Sequence, residues 1–178
     1  GIQAGMFQNY DSDVYPGVDY EKGTPTDTRY IQKDDIISNN YITRVGSTYQ
    51  DGIGINLGWI SNTVIEHNDI YNVPYTGMKL GNGKPTLVSP LGNLQVRFNN
   101  IARNNTILSD GAGIYAYAKH SPLTKVEGNY IHDGWYSQYE DSSNILGLYF
   151  DDGANGFNVV NNLISNEATG EINGGEAE

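Results

Sequence analysis

"GLYFDDGANGFNVVNNLI", residues 147 to 164, contains two short alternating stretches separated by a turn, and both recur elsewhere in the chain. The second stretch ends in Asn162-Leu163-Ile164, and the same Asn-x-Ile anchor occurs at Asn40, Asn68, Asn105 and Asn129. An apolar or small residue stands three positions before each anchor, at Ile37, Ile65, Ala102, Val126 and Val159. Alternation of this kind reads as strand. The first stretch, Gly147-Leu148-Tyr149-Phe150, has counterparts in Gly54-Ile55-Asn56-Leu57, Gly77-Met78-Lys79-Leu80 and Gly113-Ile114-Tyr115-Ala116, with a weaker copy near Gly170.

Two anchors repeating in a fixed order indicate a repeat architecture. The Asn anchors lie between 24 and 37 residues apart, the variation falls in the connections, and no amphipathic helical segment intervenes. The expected fold is all-β: a parallel β-helix, a solenoid of about five coils over residues 30–178. Each coil would stack its apolar residues on the next at about 4.8 Å, with Asn side chains in hydrogen-bonded ladders. Residues 1–29 carry no anchor and are expected to form a leading loop or an incomplete coil. A leucine-rich solenoid would need fixed Leu spacing, and a β-sandwich would need hairpin turns between its strands. Residues 43–53, 81–96 and 132–146 read as insertions that bulge from the coil, a common place for a binding face.

Composition limits the partners. The 178 residues carry a formal net charge of −11 and a pI near 4.5, which would repel a phosphate backbone, so nucleic acid is not an expected ligand. No apolar run has the roughly 20 residues of a membrane-spanning helix, so no membrane partner is expected either. The N-terminus "GIQAGMFQNY" is neither Met-initiated nor signal-like, from which we expect a processed chain or a piece of a longer rod, with further segments or partner chains completing it.

In the Gly-x-x-x anchors, Ile55, Met78, Ile114 and Leu148 should point inward, leaving Asn56, Lys79, Tyr115 and Tyr149 as one outward column. Gly58, Gly81, Tyr117 and Asp151 would form the next column, a strip with aromatic walls and glycine floors that suits a saccharide. Asp151 is a candidate catalyst on this strip, and also the natural start of a turn with Asp152 and Gly153. Asp110, three before Gly113, is the acidic residue of the adjacent coil. Its register differs from that of Asp151 by seven residues, roughly 23 Å in a straight strand, so pairing them needs a bend at Gly111 or Gly113. Nearer carboxylates are Asp152, Asp133, Glu140 and Asp141.

Other candidates for sugar contact are Trp135, Tyr136 and Tyr139 in the last insertion, whose rings could stack on a sugar or simply pack the loop. His67, His120, His132 and Glu66 could bind substrate or make ordinary loop hydrogen bonds. "DDGAN" and "DSD" are fragments of calcium loops without the full acidic spacing, so no cofactor is expected and calcium is left as a weakly signalled alternative.

The segments "VIEHNDIYNVPYTGMKLG" (64–81), "SDGAGIYAYAKHSPLTKVEGNYIHDG" (109–134) and "GLYFDDGANGFNVVNNLI" (147–164) resemble the right-handed parallel β-helix glycoside hydrolases, a group with fucosidase, xylanase and xylosidase activities. The resemblance covers about residues 30–166. It implies a catalytic pair of acidic residues one coil apart, for which the matching motifs hold Asp110 and Asp151, with Asp152 as an alternative to either. It also implies a polysaccharide or oligosaccharide substrate and a secreted or periplasmic location. Relatives of this kind are several times longer, and the stretch "GNGKPTLVSPLG" lacks tryptophans common in them. Two other functions suit the same scaffold: a polysaccharide lyase or epimerase drawing its base from Lys79, Arg97 or Arg103, and a non-catalytic carbohydrate-binding rod.

Overall fold

The computed structural model describes residues 1–5, 29, 31–83, 89–135, 137 and 144–174, and these residues fold as a parallel β solenoid with no α-helix among them. The chain crosses one face six times, in the strands Ile2–Ala4, Ile55–Leu57, Met78–Lys79, Gly111–Ala116, Ile145–Phe150 and Gly170–Gly174. It crosses a second face five times, in Ile36–Ser38, Val64–Glu66, Gln95–Arg97, Thr124–Glu127 and Phe157–Val160. The third face also has five strands, Tyr41–Thr43, Asp69–Tyr71, Asn100–Ala102, Tyr130–His132 and Leu163–Ser165.

Register explains the core. Ile37, Ile65, Val96, Val126 and Val159 are successive partners on the second face, and Ile42, Ile70, Ile101, Ile131 and Ile164 on the third. On the six-stranded face Ile2, Ile55, Met78, Ile114, Leu148 and Ile172 align. The central members of these columns are fully buried, so the core is three apolar ladders meeting along the axis. The anchor glycines serve that packing. A Cβ on Gly113 would sit 2.3 Å from Ile131 Cγ2, and one on Gly77 2.6 Å from Ile101 Cγ2, because the third-face isoleucines press against the start of each six-stranded-face strand.

An asparagine ladder runs between the second and third faces. Asn40, Asn68, Asn99 and Asn129 each donate a side-chain amide to the side-chain oxygen of the next, ending at Asn162, at 2.8–2.9 Å. This corrects one anchor: the ladder member is Asn99, in Asn99-Asn100-Ile101, and not Asn105. Asn105 lies in the turn before Asp110, where its amide donates to the Leu108 carbonyl at 3.0 Å. The rungs are therefore 28, 31, 30 and 33 residues apart, more even than the sequence anchors suggest. The supposed insertion 81–96 shrinks accordingly, since Leu91 and Leu94 are fully buried and Gln95–Arg97 is strand.

Candidate functional site

On the six-stranded face the register sets Gln3, Asn56, Lys79, Tyr115, Tyr149 and Asn173 side by side, all facing away from the core. The rings of Tyr115 and Tyr149 meet edge to face, with centroids 5.4 Å apart. With Ala112 and Leu146 they form a small apolar cluster outside the coil, and Tyr149 is only 7% exposed. Tyr149 thus offers little open ring for stacking, although it lies in the outward column. The glycine floor is also absent: Gly58 and Gly81 are buried. After Leu80 the chain turns at Gly81 with φ +82° and packs against Leu91, so this part of the strip is a corner and not a surface.

Asp151 lies at the end of the strand Ile145–Phe150 and opens a 3-10 turn over Asp151–Gly153. Its Oδ2 accepts a 2.8 Å hydrogen bond from the Tyr115 hydroxyl, and its Oδ1 accepts the Asp152 backbone N–H, also at 2.8 Å. The Tyr149 hydroxyl leans on the same carboxylate while accepting the Asn144 amide at 3.1 Å. Burial, followed by the bond to Asp151 and its charge, pushes the Tyr115 phenol far above its usual range and that of Tyr149 up to about 12. Both stay protonated donors near neutral pH. Asp152 is exposed, with left-handed backbone at φ +50°, and is the turn former of the doublet.

Asp110 is exposed and also left-handed, at φ +55°. The register pairs Gly111↔Ile145 and Ala112↔Leu146, skips Gly113, and resumes from Ile114↔Leu148 to Ala116↔Phe150. The two carboxylates flank one tyrosine cluster. Their charges both reach the phenols of Tyr115 and Tyr149, and that of Tyr75, which burial first and then these charges raise. Tyr75, which sequence reasoning passed over, donates its hydroxyl to the Asp110 carbonyl at 2.9 Å. Its signal was its place in "PYTG", two residues before the Gly77 anchor.

Lys79, the register neighbour of Tyr115, has no hydrogen-bond or ion partner among the described residues, and burial lowers the pKa of its amine. Tyr117 is half-buried beyond the end of its strand. The remaining candidates do not join this cluster. Glu66 and His67 stand on the second face, where Glu66 accepts Arg97 Nε at 2.8 Å and His67 lies against Phe98, centroids 5.5 Å apart. His132 stands on the third face, stacked on Tyr130 at 4.0 Å and bonded through Nδ1 to Asp133 and through Nε2 to Asn100. Asp133 is engaged there and not with Asp151, while Tyr136, Tyr139, Glu140 and Asp141 lie outside the described residues. His120 is buried in the core, held by Thr124 at 2.8 Å and the Leu80 carbonyl at 3.2 Å. Trp135 is half exposed at a different corner, packed on Arg103. No group of three or more His, Asp or Glu among the described residues converges as a metal site.

Comparison with known proteins fits this architecture. The family described as "Right handed beta helix region" matches residues 22–164. A solved structure named "Glycoside hydrolase" superposes with a TM-score of 0.64 at 28% identity, covering 83% of this chain and 27% of that one. This chain therefore spans about a quarter of the length of that neighbour. No curated protein sequence matches the chain.

Proposed function

Because the chain belongs to the right-handed β-helix family, matched over residues 22–164, we propose that it is part of a glycoside hydrolase whose site is the tyrosine and aspartate cluster of the six-stranded face. The observation that carries this reading is the seat of Asp151, with Oδ2 held by the Tyr115 hydroxyl and Oδ1 by the Asp152 N–H. A carboxylate fixed at both oxygens keeps its orientation as charge develops opposite it, which suits a nucleophile or a base for water. Asp110, exposed across the cluster, is the proposed acid that protonates the leaving oxygen. Asp152 supports Asp151 through its backbone. The similarity to a structure named glycoside hydrolase supports the reaction class, and a secreted or periplasmic enzyme would meet a polymer substrate there.

A second reading rests on Lys79. A desolvated amine beside a protonated phenol is the pairing a lyase needs, one group to remove a proton next to a uronate carboxylate and one to protonate the leaving oxygen. A panel of neutral and uronate polysaccharides separates the two, read for reducing sugar and for the ultraviolet absorbance of an unsaturated product. Reducing ends without absorbance support the hydrolase. Absorbance on a uronate polymer supports the lyase, and no product from any polymer leaves a binding rod.

A further inference from the structure

A groove of ≈ 490 Å³ opens at the corner that follows the third face, lined by Arg103, Asp133, Gly134, Trp135, Asn166 and Glu167. Three successive coils build it from equivalent turns. Arg103, Asp133 and Asn166 occupy the same left-handed position, with φ of 53°, 57° and 58°, and the residue after each turns inward. In earlier coils that inward residue is Val45 or the fully buried Val73, and here it is Asn104, Gly134 and Glu167. Polar groups thus replace an apolar ladder at one place on the rod.

They are not satisfied there. Among the described residues seven buried side-chain polar atoms lack a hydrogen-bond partner, and four of them belong to this corner: Arg103 Nε, Asn104 Oδ1 and both oxygens of Glu167. Each such atom costs about 1–3 kcal/mol, so their gathering in one groove calls for an outside partner. The Glu167 carboxyl lies in the space left by the missing side chain of Gly134, where a Cβ would stand 1.9 Å from Oε2. Burial raises its pKa to about 7, and the nearby Gly134 amide, which makes no geometric hydrogen bond to it, only partly offsets this. Asp133 is already engaged, by Asn166 at 2.6 Å and His132 at 2.8 Å. Above the groove the Trp135 ring is 49% exposed, with the Arg103 guanidinium 5.0 Å from its centre and 5.8 Å from that of Tyr71.

We propose that this corner groove is a glycan-binding subsite separate from the Asp151 cluster, in which a neutral sugar ring packs on Trp135 and its hydroxyls bond to Glu167 and Arg103. An exposed indole beside unpartnered donors and acceptors fits the apolar face and hydroxyl rim of a pyranose or furanose. A neutral unit matches the local balance, because the Arg103 guanidinium acts on the ionised Asp133 and burial disfavours the charged form of the Glu167 carboxyl. Binding draws the Glu167 carboxyl outward, exchanging an unpartnered position for ligand hydrogen bonds. The proposal concerns binding and stands apart from the catalytic reading.

The chain has two tryptophans, and Trp59 is 1% exposed, so iodide-accessible emission reports Trp135. Titration with cellohexaose, xylohexaose, laminarihexaose and tetragalacturonate, by fluorescence and calorimetry, should give saturable protection of Trp135 by a neutral oligosaccharide. Trp135→Ala and Glu167→Ala should each weaken binding about tenfold or more, while the isosteric Glu167→Gln stays within about threefold and guards against loss of fold. Asp151→Asn should leave this binding unchanged even where it abolishes turnover. No saturable binding up to millimolar sugar, equal binding by Trp135→Ala, preference for tetragalacturonate, or loss of binding in Asp151→Asn would each overturn the proposal.

Discussion

The Tyr115 hydroxyl donates a 2.8 Å hydrogen bond to Oδ2 of Asp151, a residue 36 positions away in sequence and one coil along the rod. The contact exists because the register sets Tyr115 beside Tyr149, two residues before Asp151, and the edge-to-face packing of the two rings aims both hydroxyls at the end of that strand.

If this carboxylate performs the chemistry, Asp151→Asn lowers turnover by orders of magnitude with the circular dichroism unchanged. Tyr115→Phe removes one charge-assisted bond, of about 1.5–3 kcal/mol, and should cost roughly tenfold to a hundredfold in kcat. Reducing-sugar release on the substrate found in the polysaccharide panel measures both. Full activity of Asp151→Asn would remove the residue from the mechanism.

Asn99 tests the ladder. Its side chain donates to Asn129 Oδ1 and the Ile65 carbonyl and accepts from the Asn68 side chain and backbone N–H, all buried. Asn99→Ala strands these partners and should destabilise the fold by about 3 kcal/mol in urea unfolding. A loss below 1 kcal/mol would mean that the ladder follows the fold without holding it.

His120 gives an acid limit to stability. Burial lowers its pKa from 6.5 to about 4, against the Leu80 carbonyl that favours the charged ring, so the unfolded chain binds a proton there that the folded chain does not. Stability is therefore complete above about pH 6.5 and declines as pH falls towards 4, by about 3 kcal/mol. Thermal melts of His120→Asn across this range should lose that slope.

Glu167 acts with the opposite sign. Its folded pKa lies above the ordinary carboxylate value, so the folded chain holds the extra proton and stability declines as pH rises from about 4.5 to 7. The loss is about 2 kcal/mol after allowance for its partial exposure. Between pH 4.5 and 6.5 the two slopes oppose each other, leaving the wild type flatter there than either variant. Melts of Glu167→Gln should rise in stability with pH through this window, and a slope identical to wild type would contradict the buried seat of its carboxyl.

Much of the architecture was legible because a solenoid repeats its constraints locally. Period-2 alternation and the anchor glycines placed Ile55, Met78, Ile114 and Leu148 inward without knowledge of any partner strand. The ladder was misassigned at one rung because Asn99-Asn100-Ile101 and Asn105-Thr106-Ile107 carry the same pattern within one coil. Only the side-chain bonds to Asn68 and Asn129 distinguish them.

The sequence by itself determined the coil, its inward ladders and the outward column of Lys79, Tyr115 and Tyr149, since these depend on alternation and on small residues where coils touch. Tertiary structure decided what that column does. It buried Tyr149, turned Gly58 and Gly81 into a corner, and drew Tyr75, Asp110 and Asp151 around one cluster. It also gathered the unpartnered atoms of Arg103, Asn104 and Glu167 into a single groove. Those outcomes depend on stacking residues from different coils some 30 positions apart, where the lengths of the connections, and not any local pattern, set which side chains meet.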